Sequence, residues 1–151
     1  MIRIASKIWR VLPYPCRLRV IRMTQPKFTV SVVAIVTNEN DEVLILDHFI
    51  RPGASWGLPG GFIEAGEAPS EGIRREIAEE TSLELETLEL LKIRTVRKHI
   101  EMVFFARGSG EVRLKTNEIR DFGWYSKDRL PVGISAGQRK LVLEALSDKP
   151  T

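Results

Sequence analysis

Three kinds of apolar pattern run along the chain. Phe28–Val36 is β-branched and apolar, and Val43–Asp47 returns after the polar, turn-like stretch Asn38–Glu42, so the two read as strands joined by a turn. His48–Ser55, with Pro52 and Gly53, reads as a loop leading to a short strand near Phe62. Residues 70–82 follow a helical period: at ~100° per residue, Ser70, Ile73, Ile77 and Thr81 share one arc, which is the predicted core face. Glu84–Lys92 and Ile93–Lys98 read as two extended segments. Ile100–Arg107 is a strand closed by the turn Gly108-Ser109-Gly110, and Arg120–Ser126 is another, with a short turn to Leu130. Leu141, Val142, Ala145 and Leu146 mark a last helix over Ser135–Leu146, with Ser135 as its cap. Strands around one central and one terminal helix predict an α+β or three-layer α/β/α domain.

The beginning of the chain is different in kind. Ile4, Ile8, Trp9 and Leu12 form a helical stripe against Arg3, Lys7 and Arg10, and Pro13 and Pro15 are expected to end that helix. Residues 1–28 hold seven Lys or Arg and no acid, whereas the rest hold 16 Lys or Arg against 20 acids; the net charge of +3 therefore belongs to the arm. We divide the chain into a basic amphipathic arm, 1–27, and one domain, 28–151, a length that suits a single core. Three placements of the arm stay open: packing on its own domain or across a homodimer, lying on a membrane surface, or acting as a transit peptide, although it is poor in serine. The first is the expectation, and membrane is not an expected partner. No apolar run reaches membrane-spanning length. The only cysteine, Cys16, excludes an intrachain disulfide and fits a cytoplasmic setting; it is read as a packing residue. No aromatic-and-basic stripe runs along the body, so nucleic acid is not an expected partner.

The chemistry is concentrated in residues 60–83. Two glycines, Gly60 and Gly61, lead to a helix carrying Glu76, Glu79 and Glu80 at i, i+3 and i+4 spacing. Like charges so placed destabilise a bare helix, and Mg²⁺ or Mn²⁺ is the neutralising partner their chemistry suits. A lone E-x-x-E-E is more simply a solvated acidic face. Here the upstream glycines, Glu67 and Arg75 change that balance. Trp56 precedes them and is read as packing.

This segment closely resembles the Nudix hydrolase signature, G-x5-E-x7-R-E-U-x-E-E-x-G-U with U aliphatic. Gly61, Glu67, Arg75, Glu76, Ile77, Glu79, Glu80 and Leu83 fall in register, and Ser82 replaces the last glycine. A second local weakness is Ala68, which stands where a helix cap of Ser or Thr is usual. The resemblance implies a Nudix-type α/β/α sandwich with a mixed, barrel-like sheet. It implies a metal-dependent enzyme that takes a small-molecule nucleotide, a nucleoside diphosphate derivative, and cleaves its pyrophosphate linkage. It further implies a metal set of Glu76, Glu79 and Glu80, completed by the Gly60 carbonyl and by Glu118 on a later loop. The base is Glu79 or Glu80, and Arg75 braces the loop through Glu67. The rival reading is a non-catalytic binding module; such proteins usually carry a broken glutamate set, and this set is intact. His48, Arg51, Arg97 and His99 lie where a substrate could be reached, and each also reads as an ordinary surface residue. The proline or tyrosine that marks some subfamilies is absent from the window Lys98–Glu101, so the substrate is left open.

Overall fold

A computed structural model describes residues 9–49 and 53–147. Strand β1 (Thr29–Thr37) is the axis of the fold. Its side chains alternate between two cores: Val32, Ala34 and Val36 point to one, Val33 and Ile35 to the other. That is why the strand reads as a continuous apolar run instead of an alternating one. On one edge β1 pairs in parallel with β6 (His99–Ser109) along its whole length, from Thr29↔His99 to Thr37↔Arg107. β5 (Glu84–Val96) pairs antiparallel with β6 at the end of the sheet.

The other edge of β1 splits. β2 (Val43–His48) meets β1 only at Thr37↔Val43 and then diverges. The segment from β3 (Trp56–Gly57) to β4 (Gly60–Phe62) fills the gap, β3 bonding to β2 and β4 to β1. β7 (Ile119–Tyr125) pairs antiparallel with β2. The sheet is mixed, as expected, but it is not closed into a barrel: the ladder does not return from β5 to β7. The splayed β1–β2 hairpin widens the sheet to admit the glycine segment and leaves its two ends apart.

Helix α2 (Pro69–Thr81) covers one face through Ile73 and Ile77, and α3 (Ala136–Ser147) covers the other through Leu141, Val142 and Ala145. The α/β/α expectation therefore holds. Ile73, Ile77 and Thr81 are fully buried as the helical period predicts; Ser70 is exposed, because it lies in the first turn of α2 and the buried stretch begins at Gly72. Ser135 caps α3, its Oγ accepting from the Gln138 N–H at 3.2 Å. α2 lacks such a cap. Ala68 stands at that position, and only the reverse bond forms, Glu71 accepting from the Ala68 N–H at 3.3 Å. Ala68→Ser is expected to raise unfolding free energy by about 1 kcal/mol in a denaturant titration.

The described part of the arm is helical in two pieces. Of the expected stripe, Ile4 and Ile8 lie outside the described residues. Trp9 is exposed and Leu12 half-buried. Residues 9–11 are helical and the helix does stop before Pro13. The prolines also start a second helix, α1 (Tyr14–Thr24), with Pro13 at its N-cap and Pro15 in its first turn, where a missing N–H costs nothing. No residue of α1 is buried, and Cys16 is exposed, not packed. Among the described residues no helix is long and apolar enough to cross a membrane.

Candidate active site

The loop between β4 and α2 is held from within by one ion pair. Arg75 Nε donates to Glu67 Oε1 at 2.8 Å and Nη2 to Oε2 at 3.1 Å, a bidentate clamp across eight residues. The same Nη2 reaches the Phe62 carbonyl at 3.2 Å, and the Glu64 N–H donates to Glu67 Oε2 at 2.9 Å. Glu67 and Arg75, paired in the expectation from sequence, are in direct contact. The guanidinium, followed by the Glu64 N–H, holds the Glu67 carboxyl down at about 2. The Glu67 carboxylate in turn pushes the Arg75 pKa upward.

This depressed carboxyl has a pH signature. The folded value lies below the ordinary 4.5, so the stabilisation is complete above 4.5 and is lost as pH falls toward about 2. Glu67→Gln is expected to melt below the wild type at neutral pH. The gap should close through that acidic window when melting temperatures of the two proteins are compared. A gap independent of pH would mean that the pair does not hold the loop.

The glutamates differ sharply in setting. Glu80 is only 8% exposed, and its Oε2 accepts from the Gly60 N–H at 3.0 Å. Glu76 is partly buried, 16% exposed, and lies against the bare Cα of Gly61: a Cβ there would come within 2.4 Å of Glu76 Oε1. Glu79 is 60% exposed. Arg75 Nη1 bridges Glu76 at 2.9 Å and Glu79 at 3.3 Å. Gly60 has φ +136°, and a Cβ on it would stand 2.2 Å from the Val32 carbonyl oxygen, so β4 lies against β1 at a point where only glycine fits.

Carboxylates with a backbone carbonyl suit a hard divalent cation, and the bare Cα of Gly61 gives the Glu76 carboxylate the room it occupies. As the side chains stand they are not drawn together. Among the described residues no three His, Cys, Asp or Glu side chains are grouped to hold an ion, and the Arg75 cation sits between two of the glutamates.

Glu118 is not brought to this cluster by any contact. It lies on the loop before β7, exposed; its carbonyl accepts from the Phe49 N–H at 2.7 Å, and its carboxylate makes no hydrogen bond or ion pair among the described residues. Of the four residues named for substrate contact, Arg51 lies outside the described residues. His48 ends β2, half-buried, and Arg97 is exposed at the β5–β6 turn with φ +55°. His99 is tied down: Nδ1 bonds Thr29 Oγ1 at 2.8 Å and Nε2 bonds Ser31 Oγ at 2.9 Å. Trp56 packs edge-on against Tyr125, ring centroids 5.9 Å apart, as the packing reading expects. Burial raises the Tyr125 pKa, and Asp121 and Asp47 add to the effect.

Two supports of the loop are absent from the sequence reading. Ser82 ends α2 in the left-handed conformation, φ +64°, that the glycine of the signature would adopt. Its Oγ donates to the Arg113 carbonyl at 2.9 Å, which offsets part of the strain. Gln138 of α3 is buried, and its Oε1 accepts from the Leu58 N–H at 3.3 Å, anchoring the strand that precedes the glycines from the opposite face. No periodicity marks a polar residue on an apolar helix face as such an anchor.

The chain is similar to known proteins along most of its length. Residues 27–145 match the NUDIX domain. A MutT-like protein of Streptomyces ambofaciens is 30% identical over 123 residues, 80% of this chain and 79% of that protein. The 8-oxo-dGDP phosphatase NUDT18 of Mus musculus is 38% identical over 112 residues, but this chain spans only 34% of its length. Among solved structures, a MutT NUDIX hydrolase from Burkholderia pseudomallei superposes with a TM-score of 0.68 at 28% identity, over 80% of this chain and 97% of that one.

Proposed function

Because the chain belongs to the Nudix hydrolase family, we propose that it hydrolyses the pyrophosphate linkage of a nucleoside diphosphate derivative with the help of Mg²⁺ or Mn²⁺. The substrate is an ADP-ribose-like compound, a dinucleotide or a nucleoside triphosphate. The observation that carries this reading is the bare Cα of Gly61 facing the Glu76 carboxylate, in a loop locked by the Glu67–Arg75 clamp. Glu76, Glu79 and Glu80, with the Gly60 carbonyl, are the groups that would hold the cation, and Glu118 would join from its loop. When bound, the cation supplies charge for a pyrophosphate oxygen and acidifies an attacking water.

The remaining work falls to this chain's own residues. Arg75 fixes the loop, and Glu80 is positioned by the Gly60 N–H. Either Glu80 or Glu79 accepts the proton of the water that attacks phosphorus. Direct attack is favoured because the box carries no activated Ser or Cys nucleophile; Cys16 lies in the arm.

The test is turnover of a panel of dinucleotides, nucleoside triphosphates and nucleotide sugars with Mg²⁺ in ¹⁸O-labelled water. One product phosphate should carry the label, and its position names the attacked phosphorus. Chelation should abolish turnover, and Ca²⁺ should support less than Mg²⁺ because its looser shell positions water poorly. Tight binding of the panel without cleavage would instead make the protein a nucleotide-binding module, and trapping a covalent phospho-enzyme would replace the direct-attack mechanism.

A further inference from the structure

Next to the box, on the opposite face of the sheet from Glu76, the fold assembles a second group of residues. Phe62 follows Gly61 and pairs directly with Ser31, whose hydroxyl bonds His99. Phe62 meets His99 edge-on, ring centroids 6.1 Å apart, and remains 65% exposed. Beside them lies an open recess of about 500 Å³ lined by residues 27–29 and 96–99, among them Lys27, Phe28, Val96, Arg97 and Lys98. The two arms of this recess are joined by the Thr29 N–H donating to the Lys98 carbonyl at 3.0 Å. Lys27, Arg97 and Lys98 make no ion pair among the described residues, whereas the nearby Glu101 is neutralised by Arg94. Phe28 is exposed as well. Upstream of Lys27, α1 presents Arg17, Arg19 and Arg22 with no acid.

Uncompensated cations interleaved with exposed aromatic rings are the chemistry of single-stranded nucleic acid. The cations track phosphates, and the rings offer faces on which any base can stack. We propose that this recess, together with the Phe62 ring that adjoins it through His99, binds single-stranded nucleic acid, one base stacking on Phe62 and the neighbouring phosphates lying on Lys27, Arg97 and Lys98. The Phe62 carbonyl is held by Arg75, so the stacked nucleotide lies next to the box loop. Binding here does not require hydrolysis, and its success or failure is separable from that of the proposed reaction.

The experiment measures anisotropy of a fluorescein-labelled oligothymidylate of about a dozen residues, using the full chain in EDTA and, in parallel, its Glu80→Gln variant. Saturable binding is expected with both. For the wild type, log K against log salt should slope at least about −2, as three phosphates on a single strand require. Lys27→Ala/Arg97→Ala/Lys98→Ala should flatten the slope by about 2. Phe62→Ala should weaken binding roughly five-fold or more with the slope unchanged. All four side chains are exposed, so the variants should melt with the wild type; the wild-type slope and a comparison with duplex, which should bind more weakly, need no variant at all. Three results would each overturn the proposal: no saturable binding at low salt, duplex binding equal to single strand with Phe62→Ala silent, or thymidine monophosphate competing as well as the oligomer. Binding to phosphatidylserine vesicles with none to the oligomer would overturn it in favour of a membrane surface.

Discussion

Glu80→Gln is expected to lower turnover by roughly 10²–10⁴-fold while leaving the fold intact. The carboxylate is buried to 8% exposure and receives the Gly60 N–H at 3.0 Å. Glutamine keeps an oxygen that can accept the same bond, so the loop stays where it is. What disappears is the charge, and with it the proposed ligand or proton acceptor. Stability should move the other way, if at all. Glu76 and Glu80 stand at i, i+4 on α2, and removing one of two like charges relieves repulsion in the metal-free protein. The melting temperature without metal should therefore be unchanged or raised. A loss of activity that merely follows unfolding would remove Glu80 from the site. Glu118→Gln is expected to cost less, since its carboxylate is exposed and touches nothing in the box. A larger fall at Glu118 than at Glu80 would move the base to the loop.

The box was legible because chemistry fixes both the identity and the spacing of its residues. The Glu67–Arg75 clamp, the inward Ile73 and Ile77 and the glycine approach all follow from one local segment. Elements whose character comes from distant partners were harder to see. β5 is one strand, although it reads as two extended segments. Its register slips at Leu85/Thr87 and again at Leu90/Lys92, and each slip shifts the phase of the two-residue alternation. α1 begins at prolines that read as terminators, because proline is as acceptable in the first turn of a helix as it is fatal in the interior. Gln138 and the recess beside Phe62 are products of tertiary contact. The recess draws on residues 27–29 and 96–99, with Phe62 set against His99, and no window of sequence contains all three segments. The two weakened cap positions, Ala68 and Ser82, were visible, but their outcomes were not. Ala68 leaves half a capping box, and Ser82 adopts the glycine conformation and recovers a hydrogen bond to Arg113.

Adjacent glycines are expected to fail in opposite ways. Gly60→Ala should be a folding defect. Its φ of +136° is a region that L-residues rarely occupy, and the added Cβ would meet the Val32 carbonyl oxygen at 2.2 Å. That oxygen belongs to the central strand, buried between two cores, and cannot retreat. The expected loss is about 3 kcal/mol or more, a fall in melting temperature of roughly 6–12 °C for a chain of this size. Gly61→Ala should be a chemical defect instead. Its backbone is not in the left-handed region, and its Cβ would meet the Glu76 carboxylate at 2.4 Å, the far end of a side chain that can turn aside. Stability should change by less than about 1 kcal/mol, because no core atom is displaced. Turnover should fall by on the order of 10²-fold, the penalty for moving a group proposed to hold the cation by about an ångström. Denaturation curves and turnover measured on both variants separate the two outcomes. If Gly61→Ala retains full turnover, Glu76 does not act from the position it holds against Gly61. If Gly60→Ala is as stable as the wild type, β4 does not lie against β1 as closely as described.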